Sequence, residues 1–359
     1  MKFVHDSSRK LNGNRLGKGL VTKVVVGALA LSLFSMAPLD SNAKQPIPNS
    51  KVFDLAAPGK ELIRDKRLYN GTVQQSFAFD NVNQHIYIVQ LIAGGQQLPG
   101  EDSPVSGTNR GKQGDLTLTK LDLDGNILGH MFLKGFGHGV QMGVEVDGDT
   151  PYLWTETDSV AEGNDGWGTQ LARFTFEDGA ILTPDSPQLE KHRLIDGADR
   201  TTVSIDPANE LLTMRYRKEG VFHFALFDLE QVKQNNYVPL ADVLQPPMGT
   251  FQGFTSYGGY LYTLEGNAYG SSGSVEPYGN TYITSVDWNT GKVVDRALFT
   301  GGDSLTFREP EGLAIRIPNI KHPQKAQLGV GFASNFTPDR WGNVYYLDQL
   351  VPEPSLKRK

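Results

Sequence analysis

His138 is the residue in this sequence best placed to do chemistry. It lies in Gly135-Phe136-Gly137-His138-Gly139-Val140-Gln141-Met142-Gly143-Val144-Glu145. The glycines permit backbone angles and close approaches that a Cβ forbids. Val140, Met142 and Val144 alternate with Gln141 and Gly143, the period of a strand. The stretch reads as a turn that delivers one imidazole to the entrance of a strand; a histidine that merely satisfies a backbone carbonyl is the structural alternative. The outline recurs along the chain. A polar residue opens a strand, a turn follows, and a second strand ends on another polar residue. The openers are Gln75, His138, Arg200, Gln252 and Glu311, spaced by 63, 62, 52 and 59 positions. Four of the second strands close on Gln90, Glu156, Arg215 and Glu265.

These residue types suit a phosphodiester or sugar ligand. Arginines present forked donors to phosphate, and glutamines and carboxylates bond to hydroxyls. Trp154, Trp167 and Tyr257 are candidates to stack on sugar faces. His138 and Glu311 are the candidate catalytic base and acid, and Gln75, Arg200, Gln252, Glu156, Arg215 and Glu265 the candidate ligand-binding set. The purely structural alternative is a ring of ion pairs in which Arg200 and Arg215 neutralise Glu156, Glu265 and Glu311.

For these residues to converge, each repeat must build the same unit. Further strand signal follows every pair, at Asp115 to Leu121 and Asn126 to Leu133, Thr169 to Phe176 and Ala180 to Leu182, Val221 to Leu229, Thr281 to Trp288 and Val293 to Phe299, and Gly342 to Leu350. Asp124-Gly125-Asn126, Glu177-Asp178-Gly179 and Asn289-Thr290-Gly291 are hairpin turns. Five units of four antiparallel strands predict an all-β fold, a five-bladed β-propeller over residues 51–352, in preference to a sandwich or β-helix. In a propeller the inner strands line one channel, so the openers form a ring at one mouth, where converging polar groups make a ligand site. Long loops at Ala93 to Gln113, Val160 to Gly168 and Asn267 to Gly279 account for the length of the units; they are also the surface a protein partner would use. The fifth unit shows only three strands. Lys51 to Leu55 is the candidate for its missing outer strand, with Val52 to Leu55 expected to pair with Asn343 to Leu347 and close the ring.

The segments GDLTLTKLDLDGNILGHMFLKGFGHGVQMGVE, LWTET, RTTVSIDP, QGFT with YLYTLEG, and REPEGLAI resemble a known family. It is the β-propeller family shared by the receptor-binding proteins of certain staphylococcal phages, P68 among them, and the TagC-like teichoic-acid proteins of Bacillus. The resemblance spans residues 50–350 and is most specific at GFGHGV…GVE and EPEGLAI. It implies a five-bladed propeller and recognition of a cell-surface glycopolymer such as wall teichoic acid.

Composition sets the boundaries. The chain has 359 residues, 38% hydrophobic and 21% charged, which is a globular balance. Residues 1–43 differ in kind. Six Lys/Arg precede the apolar stretch Val24 to Ala37, and Ser41-Asn42-Ala43 follows as a small-x-small cleavage site. Together they read as a secretory signal peptide, followed by a tether over 44–50; a charged tail occupies 353–359. The expected location is outside a bacterial cell or in its wall, with no membrane span after cleavage. There is no cysteine, so no disulfide framework. Removing residues 1–43 leaves 28 of the 34 Lys/Arg and 38 of the 40 Asp/Glu, a formal charge of −10. That charge argues against nucleic acid as a partner and requires any anionic ligand to be met by a local arginine cluster. Asp122-Leu123-Asp124-Gly125 lacks the later ligands of a calcium loop, and the remaining histidines have no metal spacing. The expected partner is a cell-surface carbohydrate or teichoic acid polymer. A polysaccharide lyase or phosphodiesterase at the same mouth is the alternative, and no particular cofactor is indicated.

Overall fold

Alternating apolar residues and short turns shape five blades. The computed structural model describes Ile47 and residues 50–353. The leader expected over 1–43, most of the tether 44–50 and the tail beyond Glu353 lie outside the described residues. The chain folds as a five-bladed β-propeller with four antiparallel strands per blade. From the centre outward, blade 1 runs Gln74–Asp80, His85–Leu91, Leu116–Asp122, Ile127–Leu133. Blade 2 runs Gly143–Asp147, Thr150–Thr157, Gln170–Thr175, Glu190–His192. Blade 3 runs Asp199–Asp206, Leu211–Lys218, Val221–Asp228, Ala241–Leu244, and blade 4 runs Phe251–Tyr257, Tyr260–Glu265, Tyr282–Asp287, Val293–Leu298. Blade 5 takes Glu309–Arg316, Gln327–Ser334 and Trp341–Leu347 and borrows its outer strand, Lys60–Arg67, from the start of the fold. Among the described residues no helix is long and apolar enough to cross a membrane.

The core is divided into layers, one between each pair of neighbouring blades. Tyr87, Leu118 and Leu133 of blade 1 meet Val144, Leu153 and Phe174 of blade 2. Trp154 and Leu171 meet Val203 and Met214; Phe224 and Leu226 meet Phe254 and Leu261; Tyr262 and Ile283 meet Leu313, Val330 and Phe332. Ala314 and Val344 of blade 5 close the circle on Phe77, Phe79 and Ile86 of blade 1. Each blade is apolar on both faces, so no blade can bury its surface without its neighbours.

Tight turns of one design repeat at the hairpin tips. Asp80 accepts from the amides of Val82 and Asn83, and Asp206 from those of Ala208 and Asn209. Such aspartate turns satisfy the amides that the hairpin leaves unpaired. Asp206 also accepts from Gly258 N at 2.6 Å, joining blades 3 and 4, and burial pushes its carboxyl up to about 6.

Three expectations are corrected. Ala180 to Leu182 is not the outer strand of blade 2, a place taken by Glu190–His192. Ile181–Leu182 instead lies parallel to Phe132 and Leu133, covering the open edge of blade 1. The loop Ala93 to Gln113 contains a helix, Gly107–Gln113, capped by Ser106, and Val160–Glu162 pairs with Asp165–Trp167 as a small hairpin. Finally, Val52 to Leu55 does not pair with Asn343 to Leu347. Lys60–Arg67 does, while Val52–Phe53 pairs with Leu350–Val351 as a second clasp. Lys60–Arg67 reads KELIRDKR, and Ile63 is its one buried residue. An outer edge strand needs charge to resist pairing with other chains, and that charge hides it from an apolar-period reading.

The two clasps predict different truncation outcomes. Removing everything before Gly59 deletes the buried Val52, Phe53 and Leu55, at about 1.5–3 kcal/mol for each large apolar side chain, and should leave a weaker but cooperative fold. Removing everything before Tyr69 also strips blade 5 of its outer strand and should abolish the cooperative transition in urea. Equal midpoints for the two proteins would contradict this closure.

Candidate functional site

One-residue bulges interrupt four of the five inner strands at the openers. The ladder steps from Gln74–Gln90 to Ser76–Val89 and leaves Gln75 unpaired. It steps from Asp199–Arg217 to Thr202–Arg215 around Arg200, from Phe251–Glu265 to Gly253–Leu264 around Gln252, and from Pro310–Phe332 to Leu313–Val330 around Glu311. A bulge bends its strand and re-aims the extra side chain. Arg200 takes a left-handed φ of 47°. In blade 2 the inner strand starts only at Gly143, and His138 belongs to the turn before it. Lateral contacts set these positions at one level. Ser76 Oγ donates to the Gly139 carbonyl at 2.6 Å, and Thr202 Oγ1 donates to the Gln141 carbonyl at 2.9 Å. A Cβ on Gly312 would lie 3.0 Å from Ser76 Cα, and one on Gly253 2.7 Å from Gly312 Cα.

Within that ring the structure joins His138, Glu156, Arg200 and Arg215. Glu156 holds the histidine turn. Its Oε1 accepts from the amides of His138 at 3.0 Å and Gly139 at 2.7 Å, and its Oε2 from Gly168 N at 2.6 Å. Gly137 must lack a side chain here, because its Cβ would fall 2.1 Å from Glu156 Cδ. Burial pushes the Glu156 carboxyl up to about 7, against the opposing pull of these amides and of Arg215. The His138 ring stacks on Trp167 at 4.7 Å and 14°, with Asp165 3.6 Å from Nδ1. Burial lowers its pKa, Asp165 opposes the shift and Arg200 adds to it. Arg200 lies over Trp167 as well, at 4.2 Å, and pairs with Glu162 at the rim at 2.9 Å.

Arg215 is the deepest cation of the group, with 6% of its surface exposed. Its guanidinium is 3.8 Å from the ring centres of both Phe222 and Phe251. Nε donates to Gln245 at 2.8 Å, and among the described residues it forms no salt bridge. Burial and the neighbouring Arg200 bring its pKa down to about 9. The closed ion-pair ring is thus not what forms. Arg200 turns to Glu162, and Glu265 pairs with Arg296. Arg215 forms no salt bridge among the described residues although Glu156 is near enough to attract it, and Glu311 forms none either.

The other predicted residues are placed as follows. Gln75 is half-buried beside the mouth. Gln252 donates to the Gly266 carbonyl at 3.0 Å. Glu265 accepts from Gly249 N and ties down the Thr250 turn. Gln90 is wholly engaged with the backbone of Asn70 and Thr72. Of the three aromatics, only Trp167 is at the site. Trp154 is buried between blades 2 and 3 and donates to Glu145, and Tyr257 lies at the far ends of the strands, bonded to Pro323 O.

Gln141 carries a role that the strand pattern did not reveal. Fully buried, it fills the centre below the mouth. Nε2 donates to the carbonyls of Leu313 at 2.7 Å and Met142 at 3.1 Å, and Oε1 accepts from the amides of Phe254 and Leu313. The mouth therefore sits above a plug. Phe222 and Phe251 form the sandwich around Arg215; in the sequence the first reads as an ordinary apolar position of the strand Val221 to Leu229, and the second falls just before the opener Gln252.

Comparison with known proteins agrees with this architecture. Residues 73–346 match the family model described as the phage 5-bladed beta propeller receptor binding platform domain. A Bacillus subtilis (strain 168) protein named for teichoic acid biosynthesis, major teichoic acid biosynthesis protein C, is 29% identical over 308 residues, covering 82% of this chain and 64% of that protein. The tail fibre of Staphylococcus aureus phage P68 superposes with a TM-score of 0.59 at 20% identity, over 85% of this chain and 54% of the fibre chain. The chain thus spans less than two thirds of either relative.

Proposed function

The chain belongs to the phage five-bladed β-propeller receptor-binding platform family, and on that premise we propose that it binds an anionic glycopolymer of the bacterial cell envelope, of the teichoic-acid kind, at the mouth formed by His138, Arg200 and Arg215. The observation that carries this reading is Arg215. A buried guanidinium is costly unless something compensates it. This one stands beside a second arginine, forms no salt bridge among the described residues, and has as its nearby carboxyl Glu156, whose oxygens are already taken by three backbone amides. Its planar fork, held between two phenyl rings, is preorganised for a phosphate. The net charge of −6 makes the pair of cations local, so a polyanion would be drawn to this spot and not to the surface at large. Trp167 holds the His138 ring and the Arg200 guanidinium in place, and the half-buried Gln75 supplies a hydroxyl partner. The name of the Bacillus relative supports teichoic acid as the polymer, and the leader sequence supports action outside the cell or in its wall.

Retention of purified poly(glycerol phosphate) teichoic acid on immobilised protein tests the reading. Arg215→Ala should weaken binding roughly 10- to 100-fold, the loss of charge-assisted hydrogen bonds of about 1.5–3 kcal/mol. Its thermal midpoint should fall through lost packing on Phe222 and Phe251 and the lost bond to Gln245, partly offset by relief of repulsion from Arg200, so binding is compared at a temperature where circular dichroism shows the variant folded. Unchanged retention by Arg215→Ala would refute the site.

A further inference from the structure

A buried carboxyl group is out of place in a mouth built for an anion. Glu311 is such a group. It is 4% exposed, and among the described residues its carboxyl makes no hydrogen bond or ion pair. Gln74 reaches only its backbone carbonyl, while the Gln74 Oε1 is itself buried without a partner. An unpaired charge there is unfavourable; burial, and then the nearby Glu309, hold the proton on. A neutral carboxylic acid is a hydrogen-bond and proton donor. His138 faces the opposite need. Its ring is fixed against Trp167, Nδ1 is buried with no hydrogen bond, and burial favours the neutral imidazole, which can accept a proton. The two residues flank blade 1, since Gly139 and Gly312, the residues that follow them, both pack on Ser76. Arg215 lies near Glu156, the residue that holds the His138 turn, and among the described residues only its Nε is hydrogen-bonded.

We propose that the mouth cleaves the polymer it binds, as a phosphodiesterase for polyol phosphates that carry a free hydroxyl next to the ester. His138 serves as general base, Glu311 as general acid, and Arg215 holds the phosphoryl oxygens. His138 takes the proton from the neighbouring hydroxyl, whose oxygen forms a new bond to phosphorus. The ester bond from phosphorus to the next unit breaks with its electron pair, and Glu311 protonates the departing oxygen. The products are a cyclic phosphodiester end and a free hydroxyl end. Solvent then returns a proton to Glu311 and removes one from His138. No oxidant or reductant is consumed, and the arginine stabilises charge that grows on the phosphoryl oxygens.

This inference rests on the anion-binding reading, and one experiment separates the two. Poly(glycerol phosphate) is incubated with the protein and followed by retention and by phosphorus NMR. Poly(propane-1,3-diol phosphate), with the same charge spacing and no hydroxyl, is run beside it. The expected result is retention of both polymers, with a five-membered cyclic phosphate appearing only from the first. His138→Gln and the isosteric Glu311→Gln should each slow that signal about 10²–10⁴-fold, measured at polymer concentrations that saturate retention by each variant, with circular dichroism confirming the fold. Retention of intact polymer by the unaltered protein overturns cleavage and leaves binding standing. Products from the hydroxyl-free polymer overturn the cyclisation step, and loss of retention altogether overturns both readings.

Discussion

Glu156→Ala should cost about 3–6 kcal/mol and disorder the histidine turn. The alanine leaves the amides of His138, Gly139 and Gly168 without the carboxylate that now accepts all three. Each buried, unpaired amide costs about 1–3 kcal/mol. The glycines at 137 and 168 make matters worse, because they exist to let the carboxylate approach: a Cβ at Gly168 would lie 2.4 Å from Glu156 Cβ. Glu156→Gln should be milder. Its amide oxygen can still serve His138 and Gly139, and only the bond to Gly168 becomes a clash of two donors. Urea unfolding would rank the variants. A Glu156→Ala midpoint equal to that of the unaltered protein would show that the turn holds itself.

The same carboxyl gives stability a pH dependence with a definite sign. Glu156 is raised to about 7 in the folded state by burial and titrates near 4.3 when unfolded. A raised folded pKa contributes stability that is fully present below the unfolded value and lost as pH rises through the folded one. Asp206, raised to about 6 by burial, and Glu311 act in the same direction. Glu101 acts oppositely: hydrogen bonds from the buried Arg110 bring it down to about 2, so its contribution is present above about 4.3 and lost toward pH 2. Stability should therefore peak near about pH 4, where the Glu101 contribution is almost complete and those of the raised groups are only beginning to be lost, and fall as pH rises toward about 7. The decline should be visibly smaller in Glu156→Gln.

The five blades are legible in the sequence because each inner hairpin carries the same alternation between a polar opener and a polar closer. Their register is legible too at four of the five, since Gln75, Arg200, Gln252 and Glu311 lie on bulges, and bulges keep polar residues among strand residues. What lies beyond one strand pair is less so. The outer strand Lys60–Arg67 is charged because it is an edge, so the rule that finds core strands passes over it. Ile181–Leu182 has the right composition for blade 2, but the turn stabilised by Asp178, which accepts from His130 N, carries it to blade 1. Residue type alone did not show which polar side chains face the mouth. Gln90 and Glu265 have the same chemistry as a ligand-binding residue, yet Gln90 is taken up by the backbone of Asn70 and Thr72, and Glu265 by Gly249 N and the Arg296 side chain. Trp154 and Trp167 flank one hairpin; only the second follows the turn that brings it to the surface beside His138.

Gln141→Ala should be the most damaging substitution at the centre of the molecule. The side chain of Gln141 joins its own blade 2 to blades 4 and 5, and its carbonyl accepts from blade 3. Truncation leaves the amides of Phe254 and Leu313 and the carbonyl of Leu313 without partners where neighbouring strands touch. At about 1–3 kcal/mol for each unpaired group, less whatever an entering water restores, the loss is about 3–6 kcal/mol. At about 2–4 °C for each kcal/mol, the thermal midpoint should fall by roughly 10 °C or more. Gln141→Glu separates hydrogen bonding from space filling. It keeps the volume but turns a carboxylate oxygen toward the carbonyls of Leu313 and Met142, so it must be protonated to fit. Its folded pKa is then raised, and its stability should be near that of the unaltered protein at pH 4 and fall as pH rises toward 8, more steeply than the unaltered protein does. Gln141→Ala carries no such added slope. If both variants melt within about 2 °C of the unaltered protein at pH 7, the blades are held by their apolar layers alone and the central glutamine is dispensable.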